Sequence, residues 1–195
     1  MFKQWSQSLP NREHPIVILD RDGVLCENTS SAHKPLQPIP GAALALAELH
    51  AAGYTLLIVS NQSAVGRGSI SLQTMLDRHK RFLSLIDTTR QNIQASIICP
   101  HSPDVNCSCR KPGTQGIDDY LENHGLARSQ IQWFVGDKLS DVSCGDRLQV
   151  KTILVLTGHG QRELESLRGA PSSARPTYIA SNIETAVKHI LKYDS

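Results

Sequence analysis

The chain has 195 residues, of which 39% are apolar and 19% charged, the balance of a globular fold with a sizeable core in one domain. Its formal net charge of +2 gives no electrostatic reason to expect nucleic acid as a partner. No apolar run approaches the roughly 18 residues of a membrane span, and residues 1–15 hold no leader-like apolar stretch, so a cytoplasmic location without membrane contact is expected.

An apolar run over 16–19 reads as a buried strand ending in Asp20. A loop rich in Ser and Pro over 28–40 leads to an Ala/Leu-rich helix over 41–52, which Gly53 is placed to close. A second buried strand over 54–59 ends in Ser60, and a polar loop over 61–69 precedes a helix over 71–86. Residues 95–98 read as a third strand that runs into a cluster of Cys and His. A helix over 116–124 and a fourth strand over 131–135 follow, the strand leading into Gly136-Asp137. The remainder reads as a helix over 142–148, a strand over 152–156, a helix over 162–167, a short strand over 177–179 and a final helix over 183–192.

Strands that alternate with helices imply βαβ crossovers. The fold class is therefore α/β, a Rossmann-like and mainly parallel sheet with helices on both faces. One domain over 1–195 with its core over 16–160 is expected. Asp20, Ser60 and Asp137 all sit just past predicted strand ends, at the sheet edge where α/β proteins bind ligands.

Asp20-Arg21-Asp22-Gly23 puts two carboxylates two residues apart, with a glycine that permits a tight turn. The motif reads either as a surface turn or as paired carboxylates that share a cation; oxygen ligands of this kind suit Mg²⁺. Asp137 offers a further metal carboxylate from another strand, and Asp141 either adds to it or caps the following helix. Ser60-Asn61-Gln62-Ser63 either forms a hydrogen-bonded turn or holds phosphoryl oxygens through its hydroxyl and backbone N–H groups. Arg110-Lys111-Pro112 offers two cations, which grip a phosphoryl group and its substrate or else remain a solvated basic pair.

Of the five cysteines, Cys99, Cys107 and Cys109 cluster, while Cys26 and Cys144 stand alone and read as small buried side chains. An odd count with local clustering suits a metal site in a reducing compartment better than a disulfide framework. Cys99, His101, Cys107 and Cys109 supply three thiolates and one imidazole, a complete set for structural Zn²⁺; the alternative is buried thiols beside a surface histidine. His33, His79, His124 and His159 belong to no constellation and read as surface or structural.

Together these pieces resemble a known family. Asp20-Arg21-Asp22-Gly23-Val24, Ser60-Asn61-Gln62, Arg110-Lys111-Pro112 and Gly136-Asp137-Lys138-Leu139-Ser140-Asp141 stand in the order of the four haloacid dehalogenase motifs. The zinc-loop pattern and the run from Asn61 to Gly68 are similar to the branch that holds heptose bisphosphate and histidinol-phosphate phosphatases. That resemblance implies a core without a large cap and with a zinc-binding loop. It implies that Asp20 attacks phosphorus to form an aspartyl phosphate, and that Asp22 is the acid/base. Asp20, the backbone carbonyl of Asp22, and Asp137 would hold Mg²⁺, while Ser60 and Lys111 stabilise the transferring group. Asn61, Gln62, Ser63, Arg110 and Lys138 would face the substrate. The expected partner is a small phosphorylated metabolite and the expected state a monomer.

The heptose compound is the first choice of substrate and histidinol phosphate the alternative. Glu27 precedes a 28–40 loop without the aromatic residue expected there in the heptose enzymes. Two other classes compete: a zinc-stabilised phosphoacceptor module without turnover, and a nucleic-acid 3′-phosphatase. Asp22 beside Asp20 speaks against the first, and the low aromatic content of 5% against the second.

Overall fold

The computed structural model describes residues 3–6, 13–29, 33–89, 91–167 and 175–194. The chain folds as β1 (Lys3–Ser6), β2 (Ile16–Leu19), α1 (Ala42–Ala51), β3 (Thr55–Asn61), α2 (Ser63–Gly66), α3 (Leu72–Ile86) and β4 (Ile93–Cys99). It continues as α4 (Gln115–His124), β5 (Ile131–Gly136), α5 (Leu139–Leu148), β6 (Lys151–Val155), α6 (Gly160–Leu167), β7 (Tyr178–Ala180) and α7 (Ile183–Tyr193). The strands form one seven-stranded sheet in the order β1-β4-β3-β2-β5-β6-β7. Every pairing is parallel except β1 with β4, where Lys3 lies opposite Ile98 and Ser6 opposite Ala95.

Side chains alternate across a strand, so each strand feeds two cores. Val17, Leu19, Leu56, Ile58 and Val135 pack with α1, α7 and the end of α3 on one face. Ile16, Ile18, Leu57, Val59 and Phe134 pack with α4 and α5 on the other. Strands buried on both faces read as unbroken apolar runs, which is why β2, β3 and β5 are plain in the sequence. The buried cluster continues past residue 160 through Ala180 of β7 and Ile183, Ala186, Val187 and Ile190 of α7.

Two elements depart from the sequence reading. β1 falls in a stretch with no apolar alternation; it is an antiparallel edge strand joined by backbone pairing to β4. The polar loop expected over 61–69 contains the short helix α2, too brief to carry an amphipathic signature. Residues 30–32 of the 28–40 loop lie outside the described set. Among the described residues no large cap stands over the C-terminal edge of the sheet, and no helix is long and apolar enough to cross a membrane.

Candidate active site

β2 delivers Asp20 to the sheet edge. The Asp20 N–H still bonds the Val135 carbonyl at 2.9 Å, so the nucleophile candidate is anchored to the sheet. Its Oδ1 accepts the Arg21 N–H at 2.7 Å and lies 2.8 Å from Nζ of Lys111. Nζ of Lys111 also reaches Oδ1 of Asp141 at 2.8 Å and donates to the Val59 carbonyl at 2.7 Å. All three side chains are buried. Burial pushes the Asp20 carboxyl up, to about 6, against the pull of the Lys111 ammonium. Burial opposes the Lys111 charge too, but the Asp141 and Asp20 carboxylates outweigh it and keep the ammonium protonated.

Asp137 follows β5 and is fully buried. Its Oδ2 accepts from the His159 N–H at 2.8 Å and from Asn28 Nδ2 at 3.3 Å. Its Oδ1 is buried with no hydrogen-bond partner. Burial, then the nearby Asp20 charge, raises the Asp137 pKa. Gly23, at φ +86°, and Gly158, at φ +61°, close around this carboxylate; a Cβ on either would fall 2.0 and 2.2 Å from Oδ2.

Asp20, Asp137 and Asp141 bring carboxylate oxygens within 4.8 Å of one another. The Lys111 ammonium contacts Asp20 and Asp141 but not Asp137, whose buried Oδ1 has no hydrogen-bond partner and is open to a cation. An oxygen-only set of this kind fits Mg²⁺. Asp141 is committed elsewhere: Oδ2 accepts the Lys138 N–H at 3.1 Å and Oδ1 holds Lys111. Lys138, not Asp141, is the N-cap of α5. The reading of Asp141 as that cap is thus corrected: it is the third helical residue, bonding back to the cap from the position a capping box requires.

The Asp22 carboxylate turns toward Arg21 and β3. Arg21 Nη2 donates to both of its oxygens, at 3.0 and 2.9 Å. Asp22 Oδ2 also accepts from Gln62 Nε2 at 2.7 Å and from Ser60 Oγ at 3.2 Å, while Cys26 Sγ approaches Oδ1 at 3.6 Å. Burial works against the Asp22 charge, but the Arg21 guanidinium and these donors overcome it and hold the carboxyl down, at about 2.

Asn61 is used differently from the neighbouring Ser60. Its amide donates to the Lys111 carbonyl at 3.1 Å and accepts the Lys111 N–H at 3.0 Å, pinning the backbone at the cation. Arg110 Nη1 bonds Ser63 Oγ at 2.7 Å and the His101 carbonyl at 3.3 Å. Lys138 is half-buried at the rim. Asp20, Asp22, Ser60, Arg110, Lys111 and Lys138 line one cleft of about 660 Å³ that also takes in Arg67, Arg78, His33 and His159. Sequence reasoning assigned no role there to Arg21, Arg67, Arg78 or His159. A Gly-His-Gly turn just past β6 was the available signal for His159.

Beside the cleft, Cys99 ends β4 and His101, Cys107 and Cys109 follow in the loop. Cys109 Sγ lies 3.4 Å from Cys99, 3.5 Å from Cys107 and 3.3 Å from Nδ1 of His101. Cys99 Sγ lies 3.6 Å from both Cys107 and His101 Nδ1. Bonds of ~2.0–2.3 Å to a central ion give tetrahedral edges of about 3.3–3.8 Å, so the cluster fits Zn²⁺ with no open position.

Comparison with known proteins places this geometry. The HAD-hydrolase-like family matches residues 108–186. The D-glycero-beta-D-manno-heptose-1,7-bisphosphate 7-phosphatase of Pseudomonas putida is 35% identical over 161 residues, 81% of this chain and 90% of the relative. The histidine biosynthesis bifunctional protein HisB of Legionella pneumophila is 32% identical over 149 residues, 74% of this chain but 42% of that protein. The crystal structure of D,D-heptose 1,7-bisphosphate phosphatase from B. bronchiseptica, complexed with magnesium and phosphate, superposes with a TM-score of 0.81 at 26% identity. It covers 92% of this chain and 99% of that one. The chain belongs to the haloacid dehalogenase-like hydrolases, in the family of magnesium-dependent phosphomonoester hydrolases that contains the heptose bisphosphate phosphatases.

Proposed function

We propose that this chain removes the 7-phosphate of D-glycero-D-manno-heptose 1,7-bisphosphate, acting as a single-domain monomer in the cytoplasm. The observation that carries the reading is the buried contact of Lys111 with Asp20 at the floor of a cleft whose walls also bear Arg67, Arg78, Arg110 and Lys138. Such a cleft suits a substrate with two phosphates. Histidinol phosphate, whose amine would meet like charges there, is the poorer fit.

Asp20, Asp137 and the main-chain carbonyl of Asp22 are the groups that would hold Mg²⁺, which when bound neutralises charge on the nucleophile and the phosphate. An Asp20 oxygen forms the bond to phosphorus as the bond to the sugar oxygen breaks. Asp22 gives that oxygen its proton; the incoming phosphate dianion raises the proton affinity of this carboxyl. Lys111 and Ser60 stabilise charge on the transferring group. Asp22 then takes a proton from water, whose oxygen attacks phosphorus and frees Asp20 and inorganic phosphate. Arg110 and Lys138 orient the remainder of the substrate.

The test is phosphate release from heptose 1,7-bisphosphate, fructose 1,6-bisphosphate, histidinol phosphate and a nucleotide 3′-phosphate, with Asp20→Asn beside the parent. Release from the heptose compound first, abolished by EDTA, restored by Mg²⁺ and lost in the variant, is the expected result. Preference for histidinol phosphate would overturn the substrate and keep the mechanism. Silence on the whole panel would overturn both.

A further inference from the structure

Arg21 has no part in the mechanism so far, yet its side chain is among the largest in the molecule to be fully buried. A turn fixes it: its carbonyl accepts the N–H groups of Leu25 at 2.9 Å and Cys26 at 3.0 Å, while the Gly23 N–H bonds the Cys26 carbonyl at 2.7 Å. Within this turn the guanidinium folds back on the next residue, and Nη2 takes both Asp22 oxygens at 3.0 and 2.9 Å. Nε and Nη1 are buried without a hydrogen-bond partner. Among the described residues Asp22 is the only carboxylate in ion-pair contact with Arg21.

A buried guanidinium with one carboxylate partner cannot part from it without leaving an uncompensated charge. The pair is therefore stiff, and the stiffness acts on one side chain. The Oδ2 that Arg21 holds is also the oxygen that meets Ser60 Oγ at 3.2 Å and Gln62 Nε2 at 2.7 Å. Ser60 faces the reacting phosphate in the reading above, so the Arg21 contact holds Asp22 at the edge of the phosphoryl site.

We propose that Arg21 is the positioning residue for the acid/base: it acts on the reaction through the Asp22 carboxylate alone and touches no substrate. This rests on the assignment of Asp20 and Asp22 above. Released from Arg21, Asp22 keeps Gln62 and Ser60 on Oδ2 and the weak Cys26 thiol on Oδ1, but loses the charged contact to both oxygens that fixes its plane. Misplacement of a reacting group by about 1 Å costs roughly 10²-fold in rate. Both steps that use Asp22, proton donation to the sugar oxygen and proton removal from water, should slow together.

The test is a double-mutant cycle of Arg21→Met and Asp22→Asn, run with Mg²⁺ on p-nitrophenyl phosphate. That leaving group needs no proton, so formation of the aspartyl phosphate is spared and only its hydrolysis depends on Asp22. Arg21→Met is expected to give a burst near one equivalent of p-nitrophenolate, then a steady rate about 10- to 100-fold below the parent, with KM lowered in step so that kcat/KM, set by phosphorylation of Asp20, stays nearly unchanged. In the Asp22→Asn background the same change should cost less than about twofold, because residues that act through one another are not additive. Arg21→Lys, which keeps the charge, should recover part of the loss beside Asp22 and none beside the asparagine; it also serves if Arg21→Met does not fold. Additive losses, a burst that shrinks with the steady rate, or a raised KM at constant kcat would overturn the proposal. A parent chain silent on the aryl phosphate would overturn the assignment of Asp20 and Asp22 with it, whereas an active parent with an additive cycle falls on Arg21 alone.

Discussion

Nζ of Lys111 lies 2.8 Å from Oδ1 of Asp20, and both groups are buried. The nucleophile candidate is thus held by a cation that the zinc-loop segment carries in from the far side of the cleft. Lys111→Met is expected to lower kcat/KM by about 10²-fold or more, because it removes a preorganised charge from the transferring phosphoryl group. It also leaves Asp20 and Asp141 facing each other unpaired, a change of the kind that costs about 3–5 kcal/mol. Phosphate release and urea unfolding read the two effects. A variant with more than a tenth of parental turnover would remove Lys111 from the mechanism.

Gly158→Ala should act on the metal before it acts on the fold. The new Cβ would stand 2.2 Å from Asp137 Oδ2 and 2.6 Å from the Gly23 Cα, at a φ of +61° that side chains rarely adopt. The Asp137 carboxylate must then move. The Mg²⁺ concentration for half-maximal turnover is expected to rise about tenfold or more, with stability lower by about 1–3 kcal/mol. An unchanged Mg²⁺ titration would show that Asp137 is not a ligand.

Cys107→Ser should lower the bound zinc and the Tm together, since the binding energy of a structural zinc site is folding energy for the segment that forms it. Zinc content by metal analysis and a melting curve measure this. Magnesium should not rescue either quantity. Full zinc stoichiometry in the variant would break the four-ligand assignment.

His79 should make stability depend on pH. It is fully buried, and burial, then the nearby Arg21 charge, lowers its pKa from 6.5 to about 3. The unfolded chain therefore binds a proton that the folded chain refuses, so stability falls as pH drops below about 6.5, by up to about 1.4 kcal/mol per pH unit until about pH 3. Asp20, raised to about 6, acts in the opposite sense: the folded chain protonates it first, so stability without metal falls as pH rises from about 4 to 6. Comparison of the parent with His79→Leu at pH 7, 6 and 5 isolates the histidine. The variant should lose less stability on acidification, and parallel curves would sink the assignment.

The parts of this fold that the sequence displays are those with a local signal. β2, β3 and β5 are apolar runs that end in Asp20, Ser60 and Asp137, and the zinc set announces itself by the spacing of Cys99, His101, Cys107 and Cys109. What escapes is set by partners distant in the chain. β1 has no pattern of its own and exists through its pairing with β4. Asn61 reads as a group facing the substrate, and nothing local to it announces that its amide also bonds the Lys111 backbone. Asp141 looks like a helix cap until Lys111 and the Lys138 N–H share it. Arg21 sits inside a motif whose carboxylates draw all the attention, and only its burial reveals what it holds.

The two hydrogen bonds of Asn61 to the Lys111 backbone have an architectural consequence. At its start the zinc loop is fixed by Cys99 within β4, and at its end by this amide. Between the ligands His101 and Cys107, residues 103–106 carry no such assignment and can drift in length and composition, and Val105 at this tip is 55% exposed. Insertions there would lengthen an outlying lobe without shifting the ammonium that faces Asp20. The loop is in this sense a part that can be exchanged, and variation among relatives should collect at its tip while both anchors hold still.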